Sequence, residues 1–117
     1  MSTHKDLDVW KLSIDLVESI YKLTITFPRS EQYGLVSQMR RAAVSVPSNI
    51  SEGAARKGNK EYLQFLYIAL GSLSELETQI IISIRLKFVG DKTETIMHLE
   101  LIRKKLLNLI KYLKTLN

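Results

Sequence analysis

The densest run of side chains able to do chemistry is Arg40-Arg41, followed by Ser45, Asn49 and Glu52. Arg41, Ser45, Asn49 and Glu52 recur at steps of four, four and three residues, so on a helix they share one face. Glu75 and Glu77 lie in a later segment and can be brought against them. Two chemistries fit this set. Inside a bundle or at a subunit contact it is an Arg–Glu–Asn network that fixes register. On an open surface its arginines clamp phosphate. Asn49, Glu52 and Glu77 favour the structural use. Arg40 points away from the neighbouring apolar stripe and is open to either.

Other chemistries find no support. His4 and His98 are the only histidines, and neither has a Glu-x-x-His or His-x-x-x-His partner. There is no cysteine and no Gly-x-Ser-x-Gly, so no nucleophile is marked. Gly53 and Gly58 do not form a phosphate loop, since Asn59 stands where its lysine belongs. These residues predict a chain that is not an enzyme and has no catalytic, metal or cofactor site.

Charge points to a partner instead. The formal net charge is +5. Residues 1–84 balance at nine basic against nine acidic side chains, and residues 85–117 hold eight basic against three acidic. Such an excess attracts phosphate polyanions, although a solvated lysine face has the same composition. The candidate nucleic-acid contacts, to RNA or DNA, are Arg40, Arg41, Arg103, Lys104, Lys105, Lys111 and Lys114. Tyr67 falls on the polar side of its segment, where a base can stack; Tyr62 and Phe65 read as core.

Four helical segments must position these groups. Over 8–27, Val9, Leu12, Leu16, Ile20, Leu23 and Phe27 keep the α period, and Pro28 ends the run. Lys11/Asp15 and Glu18/Lys22 are spaced as ion pairs on its outer face. Over 31–57, with Ser30 as N-cap, the stripe is Leu35, Met39, Ala42, Val46, Ile50 and Gly53. Pro47 frees the Ala43 carbonyl and predicts a kink, with a break into two helices as the alternative. Over 60–88, capped by Asn59, Leu66, Leu70, Leu73, Ile80 and Ile84 form a heptad-like seam with Glu77 on it. After a turn at 89–91, Asp91 and Glu94 have capping-box spacing for a helix over 92–116. Its seam is Leu99, Ile102, Leu106, Leu109, Leu113 and Leu116. Leu101, Leu107 and Ile110 fall outside it, a surplus that predicts burial against another subunit.

Short connections make this an all-α, antiparallel up-down-up-down four-helix bundle, one domain over 1–117. No apolar run reaches the ~20 residues of a membrane span, and no membrane partner is expected. The polar start, Met1 to Asp8, does not read as a signal peptide. With no cysteine, the expected setting is the reducing cytoplasm.

The stretch from Tyr33 to Gly53, with its core Arg40-Arg41-Ala42 … Ser45-x-Pro47-x-Asn49-Ile50-x-Glu52-Gly53, resembles the signature of the 23S rRNA intervening-sequence protein family. Leu7 to Leu12 (LDVWKL) and Gly71 to Gln79 (GSLSELETQ) agree with it. The resemblance implies a four-helix bundle assembled into a ring, typically a homopentamer. It also implies kinship with the accessory variability determinant of diversity-generating retroelements, a basic ring that binds nucleic acid and a reverse transcriptase. For Arg40, Arg41, Pro47, Asn49, Glu52, Gly53, Glu75 and Glu77 it implies structural integrity first and binding second.

Overall fold

The computed structural model describes residues 3–116. Met1, Ser2 and Asn117, the ends of the expected 1–117 domain, lie outside the described residues. Four helices carry the fold: α1 (Asp8–Thr24), α2 (Leu35–Ala54), α3 (Asn59–Arg85) and α4 (Thr93–Lys114). Short 3-10 turns at His4–Asp6 and Arg29–Glu31 precede α1 and α2. Among the described residues there is no strand.

Cross-helix contacts fix the directions. Ser45 meets Ser72 and Met39 meets Ser83, so α2 and α3 are antiparallel. Glu77 meets Arg103 and Tyr67 meets Lys114, which sets α4 against α3. Asp8 meets Lys105, while Ser19 lines one cavity with Thr95, which sets α1 against α4. The up-down-up-down order follows. Each helix packs on two neighbours, and among the described residues the diagonals α1–α3 and α2–α4 bring no Cα atoms within 8 Å of each other. The bundle measures 47 × 24 × 22 Å.

α2 and α3 approach most closely, because Ala42, Ala43 and Gly53 are small and buried. A Cβ on Gly53 would sit 2.9 Å from both Phe65 Cβ and Tyr62 Cδ1, so glycine is required there. α2 stays helical through Pro47, which excludes the break into two helices. The expected α1 and α2 stripes are buried, save half-buried Leu12 and Leu35.

α3 departs from its expected phase. Its buried line is Leu66, Ala69, Leu73, Leu76, Ile80 and Ser83. Leu76, not Glu77, holds the seam, and Leu70 and Ile84 are half-buried. The buried steps alternate three and four as in the expected seam, so only the phase differs, and this moves the carboxylate to the flank. In α4, Ile110 is buried, Leu109 half-buried and Leu116 exposed, which corrects the expected seam at its C-terminal end.

The helix ends also shift. Thr24 donates to the Ile20 and Tyr21 carbonyls and ends α1. Phe27 remains buried beyond it, 5.4 Å from the Phe88 ring. Ser30 lies in the 3-10 turn rather than capping α2. α2 starts at Leu35, whose N–H donates to Glu31 Oε1 at 3.3 Å. Asn59 is the first residue of α3 instead of its cap. α3 stops early because Phe88 N–H bonds Ser83 O and Lys87 N–H bonds Ile84 O, a Schellman closure with Lys87 left-handed at φ 63°. Asp91 Oδ1 accepts from Thr93 N–H at 3.0 Å and from the Thr93 hydroxyl, so α4 starts at Thr93 without the capping box.

One helix is apolar on average without holding a long unbroken apolar run. An 18-residue window of α3 reaches a mean hydropathy of 1.3, apolar enough by length and composition for a span. The cause is apolar residues on both sides of the helix: Leu66, Leu73 and Ile80 face the core, while Ile68, Ile81 and Ile82 face outward.

Candidate nucleic-acid interface

The dense polar set of α2 divides in three. Asn49 Nδ2 donates to the Ser45 carbonyl at 2.8 Å and to Ser45 Oγ at 2.9 Å. Ser45 Oγ in turn bonds Ser72 Oγ at 2.8 Å. This trio closes the polar side of the α2–α3 seam. Glu52 pairs with Arg56, just past the end of α2, at 3.3 Å in solvent. Arg41 and Glu75 flank a small polar groove with Gln38, Ser45 and Ser72, and neither closes an ion pair among the described residues.

Arg40 does structural work. Its Nε donates to Thr24 Oγ1 at 2.9 Å and its Nη2 to the Tyr21 carbonyl at 3.3 Å. The guanidinium also lies 4.5 Å from the centre of the Tyr21 ring. A cation thereby sits on the C-terminal, negative end of α1 and ties α1 to α2.

The α4 cations divide similarly. Arg103 is mostly buried, 2.9 Å from Glu77 Oε1 and also paired with Glu100. Desolvation works against its charge, and the bonds to Glu77 and Glu100 outweigh that and raise its pKa. Glu77, placed on the core seam by sequence spacing, is thus a flank residue that ties α3 to α4. Lys105 reaches Asp8 Oδ2 at 3.8 Å. Lys104 is exposed, beside Met97, Leu101 and Leu107 in a shallow groove of about 560 Å³. Lys111 and Lys114 are exposed, and Lys114 Nζ lies 5.5 Å from the centre of the half-exposed Tyr67 ring. Among the described residues, neither Lys11/Asp15 nor Glu18/Lys22 closes as an ion pair.

The antiparallel order puts the last turn of α4 beside the first turns of α3. Lys57 and Lys60, both exposed, lie at the same end of the bundle, before and at the start of α3, and the contact observed there is Lys114 on Tyr67. Lys57 and Lys60 lie in the charge-balanced stretch 1–84, so chain position alone does not join them to α4. This end thus carries exposed lysines and a half-exposed tyrosine, groups suited to phosphate and base.

The histidines lie apart. His4 meets Trp10 edge-on, with ring centroids 5.3 Å apart. His98 lines a polar cavity with Ser19, Glu94 and Thr95, and its Nε2 is buried without a partner among the described residues.

A model of the 23S rRNA-intervening sequence protein family matches residues 5–111. The chain belongs to that family. A search of curated proteins returned no match. In this 23S rRNA-intervening sequence protein, much of the Tyr33–Gly53 signature serves packing. Arg40 ties two helices, Ser45 and Asn49 satisfy a seam, and Gly53 admits α3.

Proposed function

We propose that this 23S rRNA-intervening sequence protein is a non-enzymatic, cytoplasmic bundle that self-associates and binds RNA or DNA through phosphate contacts at its basic end. The five-subunit ring implied by the resemblance is the assembly proposed. One observation carries the binding reading: Lys114 lies on the ring of Tyr67 at the end of the bundle where Lys57, Lys60 and Lys111 are also exposed, while Arg40, Arg103 and Lys105 are engaged within the chain. Backbone binding of this kind loses affinity as salt rises, since each phosphate neutralised releases counterions.

Fluorescence anisotropy with single-stranded and duplex RNA and DNA at two salt concentrations tests it. K111E/K114E should weaken binding and flatten the salt slope, and Tyr67→Ala should weaken single-strand binding. An absence of binding to every probe at low salt refutes the reading.

Ile68, Ile81, Ile82 and Leu86, all solvent-facing on or just beyond α3, favour a second reading. Here the bundle is a scaffold that docks on a protein partner such as a polymerase. Capture of that partner, unaffected by K111E/K114E and with no nucleic acid recovered, would select it.

A further inference from the structure

We propose that the outer stripe of α1 on one copy packs antiparallel against the outer stripe of α4 on the next, an inference that rests on the self-association reading above. The α1 stripe, continued one residue past the helix end, is Ile14, Glu18, Tyr21 and Ile25, at steps of four, three and four. The α4 stripe, read backwards, is Asn108, Lys104, Leu101 and Met97, at the same steps. All eight side chains are exposed. Ile25 and Met97 are 71% and 65% exposed, and with Ile14, Tyr21 and Leu101 they form stripes of exposed apolar groups instead of single scattered ones.

Charge selects the direction. In the antiparallel register Ile14 meets Asn108 with Leu107 beside it, Glu18 meets Lys104, Tyr21 meets Leu101 and Ile25 meets Met97. The parallel register places Glu18 on Leu101 and Tyr21 on Lys104, which leaves both charges facing apolar groups. Pairing α4 with α4 crowds Lys104 and Lys111 against their copies. Among the described residues, neither Glu18 nor Lys104 closes an ion pair within its own chain, so both are available. The groove along Met97, Leu101 and Leu107 offers the concave side into which Tyr21 and Ile25 insert.

The fold supplies the same direction. α1 and α4 are antiparallel within one subunit, so a rotation about an axis along the bundle brings α1 of one copy antiparallel to α4 of the next. The two stripes use different surfaces, which makes the contact heterologous, and they sit on adjacent corners. Successive copies therefore turn around the axis, and the contact makes a ring where that rotation closes.

Light scattering and sedimentation across micromolar concentrations test the register on the full chain. E18K and K104E should each weaken assembly about tenfold or more, since a reversal sets like charges together at an interface. The double variant E18K/K104E should restore it. Both sites are exposed, so circular dichroism should show all three variants folded. A second readout uses the absence of native cysteine. Tyr21→Cys with Leu101→Cys should give a ladder of disulfide-linked copies under oxidation. Wild-type assembly that survives both single reversals, fails to return in the double variant or gives crosslinks confined to single chains overturns this register and leaves self-association standing. A wild-type chain that stays a monomer overturns both.

Discussion

The seam between α2 and α3 and the outer faces of α1 and α4 treat polar and apolar groups in opposite ways. At the seam, a polar trio is satisfied inside the chain, and a glycine lets two helices close until no further carbon fits. On the outer faces, isoleucine, methionine and leucine stay in solvent among charges such as Glu18 and Lys104 that close no ion pair among the described residues. The region richest in motif is therefore finished within one copy. The region with little motif is the unfinished one, and binding is sought there.

Substitutions can break or sharpen this contrast. The largest effect is expected at Gly53, where Gly53→Val must displace Phe65 and Tyr62 and should cost about 3 kcal/mol in urea unfolding. Glu77→Ala removes one of the two carboxylates that hold half-buried Arg103 and leaves Glu100, so it should cost about 1 kcal/mol by the same measurement. Gly71 is the counter-test, an exposed mid-helix glycine at which an added Cβ would meet nothing within 4 Å. Gly71→Ala should stabilise by about 1 kcal/mol, so two glycines of one bundle answer with opposite sign.

The smallest effect is a pH response at the start of α4. Bonds from the Thr93 hydroxyl and backbone N–H lower the Asp91 pKa below 3.8. The unfolded chain then binds the proton more readily, so this contribution is full above 3.8 and lost as pH falls through the folded value. Asp91→Asn should remove that part of the acid dependence of thermal unfolding.

Much of this architecture is legible in the sequence. Apolar steps of three and four locate four helices and most buried positions on α1 and α2. Phase is harder to read on α3, where apolar residues occur on both sides and a heptad frame selects Glu77 over Leu76. Helix ends are set by groups that periodicity does not weigh: the Thr24 hydroxyl, the Glu31 carboxylate and the left-handed Lys87. The candidate site is less legible because its members meet only through packing. Arg40 finds its partners on another helix, and Lys57 and Lys60 share an end of the bundle with Lys111 and Lys114 only when α3 and α4 run antiparallel.

The Ser45–Ser72 bond joins residues 27 apart in the chain, whereas the Asp8–Lys105 contact joins its two ends. Contacts that close a short loop lose less chain entropy and tend to form first. The sequential hairpins, α2–α3 among them, are thus expected to form first, and the α1–α4 edge zips up last. Ser45→Ala should slow refolding in stopped-flow measurements, while Lys105→Ala should mainly speed unfolding. Recruitment of the next copy then waits on completion of the present one.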